Sequence, residues 1–397
     1  MRLRNHLLAF AILVGFLALG TLYVRWWVVK RPFGVILFVS DGLVSRHLAA
    51  ARLYEGGADH QLAIEQLFAH AAQVRNDAAQ FAVPDAAAAA SAIATGQRVR
   101  NHTLAVDATG KPLVSLLELA RENGRAVGLI TTGRLTEPTA AAFYAHAPVD
   151  TDHRALATSL LAAKKFDVLF GGGGDAFAAA GEKPDLLAPL TAPQWDIIHT
   201  RADLENATAY RDGTLLGVFA PGPLAFSRQR EAGSSEPALA DLVRRAIQCL
   251  QTNRHGYVLI VDEALTAHAA ILNESEHLLR ETLELDRAIE TAARFAGEKS
   301  LIVAVGRHST GGFALNGFPL RQDKGLGLLG TTPDGHPTMT WASGPHGPQS
   351  PEPSAFQTTA AQNTAEDVLG FARGIGAEKM HGFLHQRDIF QLLKEAL

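Results

Sequence analysis

The sequence has almost no cysteine and no excess of basic charge. Cys249 is the only cysteine among 397 residues, so an internal disulfide bond is excluded. The 36 Lys and Arg are outnumbered by 40 Asp and Glu, which gives a formal net charge of −4 without an evident basic stripe. A nucleic-acid partner is therefore not expected, since such surfaces need clustered positive charge. Hydrophobic residues make up 47% of the chain, enough for a large core in one or two domains.

The N-terminal segment has a different character from the rest of the chain. Two arginines precede an apolar run over residues 7–29, in which Arg25 is the only charged residue. This length can cross a bilayer, and Trp26 and Trp27 suit its interface with water. A small-residue stretch at 18–20 keeps open the alternative of a cleaved secretory signal. We expect a signal or membrane anchor over residues 1–32, with the uncleaved anchor favoured, and one folded domain over residues 33–397.

One stretch predicts a buried helix that begins after residue 85. Asp85 is a good N-cap, because its carboxylate can accept hydrogen bonds from free N–H groups of the first turn. Small residues fill positions 86–92, so the helix can lie close to a neighbouring backbone. By itself the stretch indicates a well-packed alanine-rich helix, whose N-terminus also favours anions.

Apolar runs elsewhere predict the strands of a buried sheet. They occupy residues 34–40, 126–132, 167–170, 257–262 and 300–306. Runs this continuous are typical of central parallel strands covered on both faces. Asp41 and Asp262 stand at the carboxyl ends of two of them, where functional groups collect in α/β folds. The other interpretation of Asp41 is a plain Asp-Gly turn.

In chain order, these segments resemble the alkaline phosphatase family. The stretch from Asp85 to Ala88 matches the Asp-Ser-Ala-Ala of its nucleophile segment, and Asp41-Gly42 matches the start of its Asp-Gly-Met-Gly motif. Residues 307–313 match its Asp-His-Glu-Thr-Gly-Gly-Phe, with Arg307 in place of the aspartate. The resemblance covers about residues 33–397. It implies an α/β fold, a three-layer α/β/α sandwich with a central, mostly parallel sheet.

The resemblance also shows which family residues are replaced. The nucleophilic serine falls on Ala86, and the arginine that holds phosphate falls on Asp150. Arg154 could take that role only if the loop is longer here. The first zinc site maps onto positions that carry no zinc ligand: Ala267, Ile271 and Asn363. A phosphatase of this kind is therefore expected to lack its nucleophile and one metal.

Some metal-binding positions are retained. The second zinc site maps onto Asp41, Ala86, Arg307 and His308, of which Asp41 and His308 can still bind metal. The magnesium site maps onto Asp41, Thr139 and Asp262, which all offer oxygen, the donor that hard cations prefer. The resemblance thus implies at most one Mg²⁺ and argues against zinc. Arg307 is expected to substitute for the missing metal charge by pairing with a carboxylate.

Together these replacements predict an alkaline-phosphatase-like protein without hydrolytic activity, acting as an exported binding or interaction module. The alternative is an active metal-dependent phosphomonoesterase with a rearranged site that uses His268, His346 and Ser91. Whether the chain is an enzyme is left open between the two. The expected location is membrane-anchored or periplasmic, with membrane contact through the N-terminal helix. Because members of the family often dimerise, a homodimer is a further expectation.

Overall fold

Ten strands in the described part of the chain form one sheet. The computed structural model describes residues 2–23, 32–148, 152–163, 166–181, 183–190, 193–210, 212–231, 233–316, 331, 335–347 and 356–397. The sheet strands are β1 (Gly34–Ser40), β2 (His70–Arg75), β3 (Ala126–Arg134), β4 (Val168–Gly172), β5 (Trp195–Ile198), β6 (Thr214–Val218), β7 (Tyr257–Glu263), β8 (Ser300–Gly306), β9 (Val368–Gly374) and β10 (Gly382–His385).

The sheet is mostly parallel, as predicted. Its strand order is β10-β2-β9-β8-β1-β7-β3-β4-β6-β5, and only β9 runs antiparallel to its neighbours. Six strands of two residues pair with one another outside this sheet. They are Ser309–Thr310 with Asn363–Thr364, Ala314–Leu315 with Met339–Thr340, and Ser343–Gly344 with Phe356–Gln357.

Helices connect most of the strands. In chain order they are α1 (Arg2–Tyr23), α2 (Ser45–Gly56), α3 (Ala63–Leu67), α4 (Ala86–Thr95), α5 (Leu116–Glu122), α6 (Pro138–Ala141), α7 (His153–Ala163), α8 (Gly174–Phe177), α9 (Arg201–Asn206), α10 (Ser227–Glu231), α11 (Leu239–Leu250), α12 (Leu265–Ile271), α13 (Ser275–Ala296) and α14 (Gln386–Ala396).

The helices cover both faces of the sheet. Successive side chains of a strand point to opposite faces, and in the central strand β1 all of them are buried. Val35 and Leu37 belong to the core shared with α4, α5, α7 and α14, whereas Ile36 and Phe38 belong to the core shared with α2, α11, α12 and α13. The predicted three-layer α/β/α sandwich is therefore confirmed.

Helix α4 begins and packs as its sequence predicts. Asp85 is its N-cap and accepts a hydrogen bond of 2.8 Å from the Ala88 N–H. At the other end Gly96 has φ 72°, and a Cβ there would lie 2.5 Å from the Phe390 ring of α14. The small residues of α4 and this glycine bring the two helices close together.

Helix α1 lies outside the folded core. Residues 4–21 have a mean hydropathy of 1.4 and none of this span is buried. By length and composition the helix could cross a membrane, although a signal sequence near the N-terminus passes the same test. It is thus compatible with either interpretation. The predicted interfacial residues Trp26 and Trp27 lie outside the described residues.

Candidate functional site

The carboxyl ends of four adjacent strands bring the predicted site residues together. In the register of the parallel ladders, Val39 of β1 pairs with Asp262 of β7, and Ser40 pairs with Gly306 of β8. Asp41 directly follows Ser40, and Arg307 directly follows Gly306. Both residues consequently lie at the same edge of the sheet as Asp262. We name the polar residues at this edge the strand-end cluster: Asp41, Glu137, Thr139, Asp262, His268, Arg307 and His308.

Arg307 lies at the centre of the strand-end cluster. Its Nε atom donates to Oδ1 of Asp41 over 3.1 Å, and its Nη1 atom donates to the Thr139 hydroxyl. The side chain is only 8% exposed. Burial alone would lower the pKa of Arg307, but Asp41 and Asp262 outweigh it and raise the pKa above the usual value. The expected contact between Arg307 and a carboxylate is therefore present.

Asp41 accepts hydrogen bonds from three directions. Besides Arg307, the Thr310 hydroxyl donates to its Oδ2 over 3.1 Å, and Nδ1 of His308 lies 3.0 Å from Oδ1. Burial raises the pKa of Asp41, but the charge of Arg307 and the hydrogen bonds of Arg307 and Thr310 outweigh burial, so the net pKa lies below the usual value and the carboxyl stays ionised. Each of these three partners of the Asp41 carboxylate is a side chain of the protein.

His308 is held neutral by its surroundings. Burial lowers its pKa to about 4, against the opposing charge of Asp41. An ionised carboxylate beside Nδ1 favours the tautomer with the proton on that atom. Nε2 then carries the free lone pair, and this atom has no hydrogen-bond partner among the described residues. In the orientation observed here, the ring holds Asp41 in place.

Asp262 differs from Asp41 in the direction of its pKa shift. Burial raises its pKa to about 7, although the charge of Arg307 and the Thr131 hydroxyl both act to lower it. The Thr131 hydroxyl donates to Oδ2 of Asp262 over 2.8 Å. With this pKa the carboxyl is partly protonated at neutral pH.

A second ion pair, between Glu137 and His268, lies in the same cluster. Nε2 of His268 is 3.1 Å from Oε2 of Glu137, and the Arg134 N–H donates to Oε1 over 3.1 Å. Burial raises the pKa of Glu137, but the hydrogen bond and charge of His268 outweigh it and lower the pKa. Burial lowers the pKa of His268, and Glu137 reverses this, so the net shift is upward.

The positions matched to the first zinc site offer no ligand set. Ala267 is buried in α12, and Ile271 at the end of that helix is 36% exposed. The Asn363 side chain accepts from the Thr310 hydroxyl over 3.2 Å and donates to the Pro84 carbonyl over 3.2 Å. Asn363 thus connects the strand-end cluster to the segment just before Ala86, the first residue of α4.

The residues of the rearranged-site alternative do not converge. Ser91 is fully buried, and its Oγ accepts from the Ala105 N–H over 3.0 Å and lies 3.4 Å from the Thr103 carbonyl oxygen. His346 is exposed, on a different loop. Of the three residues, only His268 belongs to the cluster, and it is paired. No exposed nucleophile accompanies it among them.

Of the two positions considered for a phosphate clamp, the structure describes only Arg154. Asp150, matched to the phosphate-binding arginine, lies outside the described residues. Nη1 of Arg154 donates to the carbonyls of Ala178 over 2.7 Å and Phe177 over 3.1 Å. These bonds hold the end of α8, so Arg154 does not replace the family's arginine.

The cluster does not fit a divalent metal ion in this arrangement. Within the described ranges, no three His, Cys, Asp or Glu side chains are grouped so that they could hold a metal. Of the three residues matched to the magnesium site, Asp41 and Thr139 are bonded to Arg307, and Asp262 accepts a hydrogen bond from the Thr131 hydroxyl. The guanidinium group therefore takes the bonds that the expected Mg²⁺ would make.

Sequence reasoning missed several residues around the cluster. Glu137 was not expected as a site residue, although it stands two positions before Thr139. Glu263 is fully buried beside Asp262, and its carboxyl accepts from the Ser40 hydroxyl over 2.9 Å. Burial and the charge of Glu281 raise the pKa of Glu263 well above its usual value. The apolar run of β7 ends at Asp262 and Glu263, and this strand end was the sequence signal that could have identified Glu263.

Comparisons with known proteins agree with the fold. The profile of the alkaline phosphatase family matches residues 34–340. Alkaline phosphatase 4 of Bacillus subtilis (strain 168) is 28% identical over 293 residues, 71% of this chain and 62% of that protein. The chain thus spans less than two thirds of the length of that relative.

Solved structures extend the similarity to almost the whole chain. The alkaline phosphatase of Thermus thermophilus has a TM-score of 0.76 at 25% identity, covering 93% of this chain and 92% of that chain. The alkaline phosphatase of the Antarctic bacterium TAB5 has a TM-score of 0.75 at 23% identity, covering 93% and 98%. A variant of the TAB5 protein was solved with Mg bound.

Proposed function

This chain belongs to the alkaline phosphatase family, and we propose that it is a non-catalytic member that acts as an exported binding or interaction module. The observation that carries the proposal is the Arg307 guanidinium, bonded to Asp41 and Thr139 within the strand-end cluster. The positively charged side chain of Arg307 thus binds two residues that the resemblance assigns as metal ligands.

The missing nucleophile supports the same conclusion. A metal-dependent phosphatase of this kind needs a nucleophile that attacks phosphorus, one metal to activate it, and another to stabilise the leaving oxygen. Ala86 has no atom that could attack. The positions matched to the first zinc site, Ala267, Ile271 and Asn363, supply no zinc-binding set. The nucleophile and the first metal site are thus lost in separate segments. Arg307 occupies a ligand position of the second metal site.

The competing proposal is an active phosphomonoesterase with a rearranged site. It would need an exposed nucleophile near metal-binding side chains. Ser91 is buried and bonded to backbone, and His268 is paired with Glu137. Since neither side chain is available, we favour the non-catalytic protein.

Location and assembly complete the proposal. The exposed apolar helix α1 supports export and attachment of the domain to a membrane. A homodimer is proposed from the resemblance alone.

The test is a joint measurement of metal content and turnover. The full chain, purified in detergent from a host that lacks its own alkaline phosphatase, is assayed with a chromogenic phosphomonoester in the presence of added Zn²⁺ and Mg²⁺. We expect folded protein with substoichiometric zinc and no hydrolysis above that of a heat-inactivated sample. Stoichiometric zinc, together with turnover that follows the protein through successive columns, would refute the proposal.

A further inference from the structure

The strand-end cluster contains two basic side chains, each bonded to one carboxylate. Arg307 enters from the end of β8 and reaches Asp41 over 3.1 Å. His268 enters from α12, and its Nε2 atom lies 3.1 Å from Oε2 of Glu137. The cluster thus brings basic and acidic side chains together in pairs.

Every acid in the cluster has its polar partners inside the protein. Asp41 is bonded by Arg307 and Thr310, Asp262 by Thr131, and Glu137 by His268. Buried carboxylates are stable only when they are paired and hydrogen-bonded. The contacts meet this condition without an added ion.

We propose that Arg307 is a built-in counter-ion that replaces bound metal and blocks a Mg²⁺ site formed by Asp41, Thr139 and Asp262. The proposal rests on the non-catalytic function proposed above. Removal of the guanidinium group would leave Asp41 and Thr139 without their shared partner. Their oxygen atoms, together with those of Asp262, would then suit a hard cation.

The test compares the response of thermal stability to Mg²⁺ in the full chain and in Arg307→Met. Methionine retains an apolar side chain and removes the positive charge. We expect the Tm of the unaltered protein to be the same in EDTA and in MgCl2. The Tm of Arg307→Met should be lower in EDTA and should rise by about 2–3 °C when Mg²⁺ is about tenfold above its Kd.

Arg125→Met is the matched control. Arg125 is also buried, but the hydrogen bonds resolved for its guanidinium go to backbone carbonyls, including those of Pro32 and Ala396 over 3.1 Å. Its removal should lower Tm without a Mg²⁺ response, because no carboxylate of the cluster is released. Equilibrium dialysis followed by elemental analysis should find added Mg²⁺ in Arg307→Met only.

Arg307→Gln keeps the test decisive if Arg307→Met does not fold. It removes the positive charge but retains an amide that can donate to a buried oxygen, and it should likewise give a Mg²⁺-dependent rise in Tm. The inference is overturned if Mg²⁺ stabilises the unaltered protein as much as the variants, or if no variant responds. Either result without phosphomonoester turnover leaves the proposed function standing, whereas turnover in the unaltered protein overturns both.

Discussion

Arg307 stands where the resemblance expects a metal-binding aspartate, and its contacts give this single replacement a large structural effect. The guanidinium binds Asp41 from β1 and Thr139 from α6, so one side chain connects three segments. Breaking one side of a buried ion pair typically costs about 3–5 kcal/mol, because it leaves an uncompensated charge. We therefore expect Arg307 to stabilise the folded protein, in addition to its proposed role as a block to metal.

Ala86 provides a direct prediction at the same scale. We expect that Ala86→Ser will not restore phosphomonoester hydrolysis. The new hydroxyl would follow Asp85 at the start of α4, but Ala267, Ile271 and Asn363 supply no zinc to lower its pKa. Catalytic groups that act as a unit are strongly non-additive, so one restored member gains little. Steady-state assays with and without added Zn²⁺ provide the measurement.

A combined variant serves as the control for that experiment. Ala86→Ser with Arg307→Asp restores the nucleophile and one metal ligand, yet still lacks the first zinc site, so it should also be inactive. If Ala86→Ser alone showed zinc-dependent turnover close to that of an active relative, the assignment of Ala267, Ile271 and Asn363 to the zinc positions would be wrong.

A contact between two side chains could be predicted only where the resemblance identified both positions as part of the site. A contact of Arg307 with one of the carboxylates was expected from the charge replacement, and Asp41 is the carboxylate that it binds. The pair of Glu137 and His268 was not, because 131 positions separate them and neither residue lies in an unusual local pattern. His47 was also missed. It is fully buried edge-on to Phe313, with ring centroids 5.2 Å apart, and burial lowers its pKa to about 4.

At the scale of single elements, α4 depends on its first cap. Asp85 accepts from the Ala88 N–H over 2.8 Å and from the His102 N–H over 2.6 Å. The carboxylate thus joins the helix N-terminus to the loop at residue 102. Because α4 packs on α14 through the positive-φ residue Gly96, its position affects the core on that face of the sheet.

We therefore expect Asp85→Ala to lower the free energy of unfolding by about 1–2 kcal/mol, the upper part of the range for a lost N-cap. Two backbone N–H groups would lose their acceptor. Urea denaturation followed by circular dichroism measures the change. Glu122→Ala, at an exposed position near the end of α5, is the control and should shift the midpoint little. Equal effects of the two substitutions would contradict the assigned role of the cap.

Element prediction succeeded where apolar runs were long. The runs at 34–40, 257–262 and 300–306 are central strands of the sheet, buried along their whole length. The shorter strands β5 and β6 were not predicted in a region that looked irregular. Nor were the edge strand β10, its neighbour β2, or β9, in which buried and partly exposed residues alternate. Half-exposed strands of this kind are recognised mainly by their partners, which lie far away in sequence.

At the scale of the whole molecule, helix α1 is not buried against the folded core. The last residues before the core are held by Arg125, whose guanidinium donates to the Pro32 carbonyl over 3.1 Å and to the Ala396 carbonyl over 3.1 Å. Residues 4–21 contribute nothing to the buried core. The folded part should consequently retain its stability without α1, provided that the chain begins no later than Pro32.

Membrane association should therefore depend on α1 alone. We expect the full chain to float with phospholipid vesicles in a density gradient and residues 32–397 to remain in the dense fraction, with closely similar Tm values for the two proteins. An 18-residue apolar helix transfers enough nonpolar surface to hold the domain on a bilayer. Intact mass of the exported protein separates the two interpretations of the segment: retention of residues 2–23 indicates an anchor, and their loss indicates a cleaved signal. Flotation of residues 32–397 would instead locate membrane binding in the folded domain.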